Sequence, residues 1–412
     1  MLIKTLLNNC YPVKRFVYGK TALIGNKISI EISARKGSRG LCGNCGREAP
    51  GYDHTKERKF RFIPLWGYDV DFIYRPRRVH CPDHGVVVEL LPWADSKSPI
   101  CEPFKIFLAY WAKLLSWQGT ARQFRVPWQN VFESVEYVVE YGLKHRVLTG
   151  IKAIGVDEIQ YQVGHKYLTL VYQIDAGCRR LLFVGKDRTA KTLLRFFYRF
   201  KGYTDQIKAV CSDLWKPYLK VIKRKLGHSL HILDRFHVAQ YLNNAVDNTR
   251  REEAAQLKRD GRERILEKSR WCLLKGKKKQ KASQLAKLKD LLKYNLKTVR
   301  CYLLKEAFQQ IWTYKTSWGA KRFLKVWLER AMRSRLPELK KVAKSLRKHQ
   351  DLLLNYFAVK ERLSNGPVEG LNLKVKLAMR KAYGFRMFKT IELALYHQLG
   401  EMPEPPLTHR FY

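Results

Sequence analysis

The sequence contains no run of about 18 consecutive apolar residues, roughly the length that a membrane-spanning helix needs. Residues 1–5 also lack the uninterrupted apolar core of a secretory signal peptide. These absences exclude the common membrane and secreted classes of protein. We therefore expect a soluble intracellular protein, located in the cytoplasm and without a membrane partner.

Cysteine is sparse and widely scattered. The 412 residues include nine cysteines, and an odd number spread over a long chain does not resemble a disulfide framework. A chain of this length can form about two to four domains with cores of their own, so it does not need disulfides for stability. In a reducing compartment, two cysteines close together in sequence indicate a metal site instead.

Acidic residues are few compared with basic ones. The chain has 36 Asp+Glu against 80 Lys+Arg, which gives a formal net charge of +44. This charge favours a polyanionic partner, because nucleic acid releases counterions when a cationic protein binds it. A solvated basic surface or a ribosome-associated protein is the alternative. The 10 Trp, 22 Tyr and 19 Phe are interleaved with the basic residues, which favours nucleic-acid binding.

The first region, residues 1–95, contains two pairs of potential metal ligands. Cys42 and Cys45 form one pair, and Cys81 and His84 form the other after 35 intervening residues. A two-residue gap lets both side chains of a knuckle reach one tetrahedral Zn²⁺, so we expect one structural zinc ion. His80 is close enough in sequence to replace His84 as the fourth ligand. Ordinary buried cysteines are the alternative explanation.

Residues 96–148 have the spacing of a helix-turn-helix unit. Apolar residues recur at helical intervals over 103–117, and Thr120 is placed to cap a short second segment. A longer helix begins at Trp128, and its first turn would enter the major groove of DNA. Gln129 and Asn130 would then read bases, since both can bind adenine with two hydrogen bonds. A plain three-helix packing unit is the alternative, because the same helix carries three glutamates.

Residues 149–250 alternate between strands and helices, as a mixed α/β sheet does. We predict strands at 151–159, 166–174, 180–184, 207–212 and 230–233, separated after the third by helices. The first and fourth strands can lie side by side in such a sheet. This arrangement would bring Asp157 and Asp213 together at one edge.

The remaining regions are a basic helical insertion at 251–355, a return to the α/β domain at 356–400 and a tail at 401–412. The insertion includes a lysine-rich loop, 275–279, and is a candidate for gripping the DNA backbone. In the helix after 365–366, Pro367 suits the first position and leaves Glu369 in the first turn. Glu369 shares one face of this helix with Asn372, Lys376 and Arg380. The two basic side chains can reach the phosphates that flank a metal ion bound by Glu369.

Two aspartates on neighbouring strands and a glutamate from a late helix can hold two Mg²⁺ ions about 3.5–4 Å apart. That arrangement activates a water molecule and stabilises the leaving oxygen in phosphodiester displacement, so no protein nucleophile is required. There is a competing explanation for these three acids. Glu369 can simply stabilise the start of its helix, and a chain with 36 acidic residues contains many such triples by chance.

Several blocks of the sequence resemble, in order, those of the ISL-three family of insertion-sequence transposases. These blocks cover nearly the whole chain, and they lie at 155–158, 165–167, 212–218, 234–238, 365–372 and 380–385. The two ligand pairs, the Leu65-Trp66-Gly67 segment and the helix-turn-helix also match that family's zinc-binding and DNA-binding regions. His84 stands where many family members have a cysteine, a replacement that zinc tolerates.

The resemblance implies an RNase H-like catalytic domain of the DDE type, interrupted by the all-α insertion and preceded by the zinc-binding β-rich and helix-turn-helix domains. It also implies that Asp157, Asp213 and Glu369 bind the catalytic metal ions. Such enzymes hydrolyse a strand at each transposon end, and the freed 3′-OH then attacks target DNA. Asp234 would be an alternative metal ligand, and His237 would bind the scissile phosphate or orient a neighbour.

The partners implied are double-stranded DNA, both terminal inverted repeats and target, and a second copy of the chain in the DNA complex. The protein would then be associated with the nucleoid when it is bound to DNA. Two other classes share some of these features. One is a catalytically silent, sequence-specific DNA-binding regulator derived from a transposase, and the other is a structure-specific nuclease of RNase H-like fold.

Overall fold

The computed structural model describes residues 3–95, 97–262, 264–276, 279–358, 366–382, 385 and 387–406. Contacts divide the chain into two compact units, residues 1–147 with 376–412 and residues 148–375. The first boundary lies within one residue of the predicted end of the helix-turn-helix region. The second falls inside the helix that carries Glu369. Among the described residues, no helix has both the length and the apolar character to cross a membrane.

Fourteen strands are present in the described residues. In chain order they are β1 (Phe16–Ile24), β2 (Lys27–Ala34), β3 (Gly40–Leu41), β4 (Glu48–Ala49), β5 (Gly51–His54), β6 (Arg58–Leu65), β7 (Tyr68–Tyr74), β8 (Arg77–Cys81), β9 (Gly85–Val88), β10 (Ala153–Gln162), β11 (Lys166–Asp175), β12 (Cys178–Lys186), β13 (Ala209–Ser212) and β14 (Leu230–Leu233).

Fifteen α-helices accompany the strands within the described ranges. They are α1 (Ile3–Cys10), α2 (Glu102–Leu114), α3 (Trp117–Gln123), α4 (Trp128–His145), α5 (Ala190–Arg199), α6 (Lys216–Lys225), α7 (Arg235–Arg259), α8 (Arg270–Leu274), α9 (Ala282–Leu291), α10 (Lys297–Gln309), α11 (Ser317–Arg333), α12 (Pro337–Lys348), α13 (Gln350–Leu354), α14 (Gly366–Lys381) and α15 (Phe388–Leu399).

The N-terminal part of the first unit is a β-rich domain. Its main sheet has the order β1-β2-β7-β6, and smaller sheets pair β3 with β4 and order three strands as β5-β8-β9. The core of the main sheet is aromatic, and the fully buried Trp93 lies against Phe16, Phe60 and Tyr74. Edge-to-face ring pairs of this kind add to the free energy gained from burying the rings.

Three helices follow, as the sequence predicted, but the second begins differently. Ser116, and not Thr120, caps α3, because the Ser116 hydroxyl accepts a hydrogen bond from the backbone amide of Gly119. Thr120 lies inside the helix, where its hydroxyl donates to the carbonyl of Ser116. The predicted cap at Thr120 is therefore wrong, since a serine one turn earlier accepts from a free amide at the helix start.

The second unit contains a five-stranded sheet of order β12-β11-β10-β13-β14. Strands β10, β11 and β12 are antiparallel neighbours, whereas β10, β13 and β14 run parallel. The prediction that the first and fourth strands lie side by side is confirmed, with Val156 opposite Ser212. Helices α5 and α6 bury one face of the sheet through residues such as Phe196 and Tyr218.

The insertion between β14 and α14 is helical, as predicted. Its helices pack around buried aromatic side chains, where Phe308 contacts the rings of Trp312 and Trp327 edge-on. Lys277 and Lys278 of the lysine-rich loop lie outside the described residues. So do residues 359–365 before α14, residues 383, 384 and 386 after it, and residues 407–412 of the tail.

Candidate functional site

The four predicted zinc ligands come together in the first unit. Their ligand atoms all lie within 4.8 Å of one another, with Cys45 Sγ 3.8 Å from Cys81 Sγ and Cys81 Sγ 3.5 Å from His84 Nδ1. Sulfur ligands about 2.3 Å from a tetrahedral Zn²⁺ would be separated by about 3.8 Å, so the spacing fits the ion. A hydrogen bond from His84 lowers the pKa of Cys81 to about 7, which favours the thiolate that metal binding requires.

Local structure explains why these residues meet. Cys42 and Cys45 lie between β3 and β4, whereas Cys81 is the last residue of β8 and His84 directly precedes β9. His84 therefore completes the cluster. His80, the alternative fourth ligand, is an exposed residue of β8 and does not belong to the cluster.

Three aspartates occupy corresponding positions on neighbouring parallel strands of the second unit, with Asp157 inside β10 and Asp213 and Asp234 directly after β13 and β14. Val156 is opposite Ser212, and Ser212 is opposite Leu233. Asp157, Asp213 and Asp234 come directly after these three residues, and they are only 9%, 3% and 2% exposed. The register of the sheet thus places three buried carboxylates in a row at one edge. Burial of this kind is costly unless positive or hydrogen-bonding groups meet the carboxylates.

The contacts of Asp157 come from helix α14 and from its own strand. Its Oδ2 accepts a 2.6 Å hydrogen bond from the side-chain amide of Asn372, and its Oδ1 accepts one of 2.8 Å from the backbone amide of Glu158. The hydroxyl of Tyr172 in turn donates to Asn372 Oδ1 at 2.8 Å. Burial raises the pKa of Asp157, although the charge of His237 and these hydrogen bonds oppose the rise.

Gly155 allows α14 to approach the sheet. A Cβ atom at this position would lie 2.5 Å from Cγ2 of Val368, so only glycine permits this packing. Glu369 follows Val368 in the first turn of the helix and is exposed. Partial desolvation raises the pKa of Glu369, and the charges of Asp234 and Asp157 raise it further against the opposing charge of His237. The carboxyl group of Glu369 is therefore close enough to Asp234 and Asp157 for their charges to affect its pKa.

Asp213 has different partners. Its Oδ2 accepts a 3.0 Å hydrogen bond from Arg188 Nη2, and its Oδ1 accepts one of 3.0 Å from the backbone amide of Trp215. The same Arg188 nitrogen lies 2.5 Å from Glu158 Oε1. Burial raises the pKa of Glu158 to about 8, and the charge of Asp213 adds to that rise while Arg188 opposes it.

Asp234 and His237 form a pair at the start of α7. Asp234 caps the helix by accepting from the backbone amide of Phe236, and its other oxygen lies 2.6 Å from His237 Nδ1. Burial lowers the pKa of His237, but the hydrogen bond to Asp234 and the charges of Asp234, Asp157 and Asp213 outweigh that effect and raise it to about 9. His237 therefore carries a positive charge beside the row of carboxylates at neutral pH.

The donor set of this edge suits a hard divalent cation. Carboxylate oxygens are the ligands that Mg²⁺ prefers, and the buried Oε2 of Glu158 has no hydrogen-bond partner. Within the part of the chain that the structure describes, the zinc ligands are the only group of three or more whose ligand atoms lie within 4.8 Å of one another. Asp157, Asp213 and Glu369 are thus not gathered that closely.

This spread is compatible with two ions. Ligands at about 2 Å from ions that are themselves about 3.5–4 Å apart can be separated by up to about 8 Å, provided that one carboxylate bridges the ions. A single ion would require a tighter group. The carboxylates present therefore suit a divalent-metal site.

The proposed DNA-reading residues lie at the start of α4, in the first unit. Gln129 is exposed, and its amide donates a 3.0 Å hydrogen bond to Glu133. Asn130 is partly exposed. Lys389 of α15 lies 3.1 Å from Glu136 and 3.9 Å from Glu140, so it offsets the negative charge that would otherwise repel phosphates along this helix. Lys376 and Arg380 are both exposed on the last part of α14.

Sequence reasoning did not single out Arg188 or Tyr172. Arg188 comes two residues after the end of β12, and Tyr172 lies within the apolar strand β11. A basic residue just after a strand of the same sheet is only a weak signal for Arg188. Tyr172 carries no signal, because a buried tyrosine is ordinary in a sheet.

Comparison with known proteins agrees with this arrangement. A family model described as "Transposase", of the DDE type and the ISL3 group, matches residues 154–395. A second, described as the zinc-finger of transposase IS204/IS1001/IS1096/IS1165, matches residues 38–84. The first spans the three aspartates and Glu369, and the second spans all four zinc ligands.

Two curated relatives are similar over most of the chain. The transposase for insertion sequence element IS1557 of Mycobacterium tuberculosis is 28% identical over 411 residues, covering 93% of this chain and 91% of the relative. The transposase for insertion sequence element IS1001 of Bordetella parapertussis is 27% identical over 350 residues, covering 84% and 85%.

Among solved structures, the Drosophila P element transposase strand transfer complex aligns with 72% of this chain and 91% of its own, at 12% identity and a TM-score of 0.40. The DDE transposase family model matches more than half of the residues of this chain. The chain therefore belongs to the ISL-three (ISL3) family of DDE transposases of insertion sequences, which catalyse DNA cleavage and strand transfer.

Proposed function

We propose that Asp157, Asp213 and Glu369 hold two catalytic Mg²⁺ ions in an RNase H-like domain, where they support both hydrolysis at the transposon ends and strand transfer to target DNA. The observation that carries this proposal is the register of the sheet. It puts Asp157 and Asp213 directly after paired residues of adjacent parallel strands, and Gly155 lets α14 bring Glu369 to the same edge.

Each protein group has a separate task in this reaction. When bound, the two Mg²⁺ ions supply a nucleophilic oxygen at neutral pH and stabilise the leaving oxygen of the phosphodiester. Asp157, Asp213 and Glu369 would hold the ions, and Asn372 fixes the orientation of the Asp157 carboxylate through Oδ2. The same carboxylates serve hydrolysis by water and attack by the 3′-OH.

His237 is suited to binding the scissile phosphate. Its pKa of about 9 keeps the ring charged at neutral pH, and a cation near the reacting phosphate stabilises the charge that develops there. Asp234 uses both carboxylate oxygens on Phe236 and His237. This favours a role for Asp234 in orienting His237 over a role as a metal ligand.

The N-terminal unit would recognise the terminal inverted repeats. We place α4 in the major groove, with Gln129 and Asn130 as the base-reading residues, in a helix-turn-helix formed by α3 and α4. Lys376 and Arg380 would contact phosphates, which carry no sequence information. A homodimer would hold the two transposon ends, and the reaction would take place in the cytoplasm, on the nucleoid.

Cleavage of labelled DNA that carries the element's own matched ends tests the assignment. Asp157→Asn, Asp213→Asn and Glu369→Gln should each abolish cleavage in Mg²⁺ while they leave binding to the repeats intact. Glu267→Gln, which neutralises an exposed carboxylate in the insertion, is the matched control and should cleave normally. Undiminished nicking by the three variants would reject the metal-binding assignment.

The same assay separates the other classes. Cleavage of branched DNA or RNA that needs no repeats and yields no joined product would indicate a structure-specific nuclease. Repeat binding without cleavage of any substrate would indicate a catalytically silent regulator.

DNA binding tests the helix-turn-helix. Gln129→Ala and Asn130→Ala should each reduce discrimination between repeat and unrelated DNA by about 1–3 kcal/mol. Lys376→Ala and Arg380→Ala should weaken binding to both kinds of DNA and reduce its salt dependence. Equal discrimination by the Gln129 and Asn130 variants would exclude their base-reading role.

A further inference from the structure

Arg188 links two carboxylates on the second unit's sheet edge. Its Nη2 lies 2.5 Å from Glu158 Oε1 and 3.0 Å from Asp213 Oδ2. The guanidinium also stacks on Trp215, with its central carbon 4.1 Å from the ring centroid. Arg188 therefore offsets the charge of the buried Asp213.

The position of Arg188 is fixed by the chain around it. Asp187, the preceding residue, has a φ of +71°, a left-handed conformation that aspartate adopts more readily than most side chains. The hydroxyl of Thr169 donates a 2.6 Å hydrogen bond to the Asp187 carbonyl, and the Asp187 amide donates to the carbonyl of Tyr167. This anchored turn directs Arg188 back towards β10 instead of into solvent.

Glu158 and Asp157 belong to opposite faces of β10, since successive residues of a strand alternate. Asp157 faces α14 through Asn372, and Glu158 faces the side of α5 and α6 with Ile154 and Val156. Arg188 is bound on the Glu158 side. Its hydrogen bond to Asp213 therefore competes directly with any interaction of Asp213 on the Asp157 side.

We propose that Arg188, held by Glu158, is a built-in counter-cation that occupies Asp213 in the metal-free protein and must release it before the divalent site is complete. The proposal rests on the metal-binding role of Asp213 given above. When Asp213 turns to the metal, Glu158 and the ring of Trp215 retain Arg188. Holding Arg188 gives a reason for the buried Glu158 beside Asp157 and Asp213. One oxygen of Glu158, Oε1, contacts Arg188, and the other, Oε2, has no hydrogen-bond partner. Arg188 is thus a positioning residue, and its effect is on the affinity for metal.

Direct titration of zinc-loaded, full-length protein with Mn²⁺ in the absence of DNA tests the proposal. Arg188→Gln should bind Mn²⁺ about tenfold more tightly than the wild type, as expected for removal of one competing charge-assisted hydrogen bond. Arg195→Gln, which removes an exposed positive charge from the neighbouring helix α5, should bind as the wild type does. Unchanged or weaker binding by Arg188→Gln would overturn the proposal.

Glu158→Gln provides an independent arm. At a pH above 8, where Glu158 is ionised, the change leaves Asp213 as the only charged partner of Arg188, so Mn²⁺ binding should weaken severalfold. In the Arg188→Gln background the same change should have little effect, because Glu158 acts through Arg188. An equal loss in both backgrounds would show that Glu158 contacts the metal itself and would also overturn the proposal.

Two further measurements keep the test decisive. If Arg188→Gln does not fold, as judged by cooperative thermal unfolding, Arg188→Lys replaces it. That variant keeps one charge but loses the planar guanidinium that stacks on Trp215, so it should hold Asp213 less firmly and still bind Mn²⁺ more tightly than the wild type. If the wild type binds no Mn²⁺, or Asp157→Asn binds as well as the wild type, the proposed metal site fails. If Asp157→Asn loses Mn²⁺ binding but the Arg188 variants bind as the wild type does, the metal site stands and only the counter-cation role of Arg188 is rejected.

Discussion

Asn372 donates a 2.6 Å hydrogen bond from its side-chain amide to Oδ2 of Asp157, across 215 positions of sequence. The bond joins the helix that carries Glu369 to the strand that carries the first aspartate. Asn372→Ala should therefore lower the rate of cleavage by about 10–100-fold, the range seen when residues that orient metal ligands are removed. The rate of nicking in saturating Mg²⁺ measures this effect.

Tyr172→Phe is the matched control for Asn372. It removes the hydroxyl that donates to Asn372 Oδ1 but leaves the bond to Asp157 possible. Its effect on the rate should be smaller than that of Asn372→Ala. An equal or larger effect would mean that Tyr172, and not the amide of Asn372, determines the orientation of the carboxylate.

Gly155→Ala should destabilise the second unit and weaken metal binding together. The new methyl group would meet Val368 Cγ2 at 2.5 Å and push α14 from the sheet, at a cost of about 1–3 kcal/mol. Denaturant unfolding and Mn²⁺ titration measure the two effects. Val368→Ala in the same chain should recover much of both losses. Gly177→Ala, where no atom lies within 4 Å of the new Cβ, should change neither.

Zinc should be present at one ion per chain and should depend on four residues. Cys42→Ser or Cys81→Ser should abolish binding and destabilise the β-rich domain, because a structural site supplies folding free energy. Metal analysis and thermal unfolding measure both effects. His80→Ala and Cys10→Ser replace exposed residues outside the cluster and should retain zinc. Loss of zinc in His80→Ala would contradict the ligand set.

His237 should stabilise the protein most at low pH. Its pKa is raised from 6.5 to about 9 in the folded state, so its stabilisation is complete below about pH 6.5 and is lost as the pH rises through 9. His237→Gln should cost about 3 kcal/mol near pH 6, without added Mg²⁺, and much less near pH 9.5. Urea unfolding at the two pH values checks the difference.

The exposed His228 offers the comparison for that experiment. His228→Gln should change the free energy of unfolding little at either pH. A cost for His237→Gln that does not vary with pH would show that the ring contributes only packing.

The zinc ligands, the strands and the acids at their ends could be read from the sequence because each depends on local rules. A two-residue gap sets which pairs can share an ion, and an apolar run that ends in an acid marks a strand ending at a site. This pattern indicates Asp157 and Asp213, and the pairing of β10 with β13 confirms that their strands are adjacent, although β10 continues beyond Asp157 to Gln162. The cap of α3 was missed because two hydroxyl residues, Ser116 and Thr120, compete within one turn.

The sequence by itself determined the zinc-binding pairs, the strands of the α/β region and the adjacency of the two strands associated with Asp157 and Asp213. Only the tertiary structure decided that His84 and not His80 completes the zinc cluster, that Asn372 holds Asp157, and that Arg188 joins Glu158 to Asp213. The physical reason is distance along the chain. Local hydrogen bonding and side-chain periodicity are written in neighbouring residues, whereas partners separated by 25 or 215 positions are chosen by the packing of whole elements.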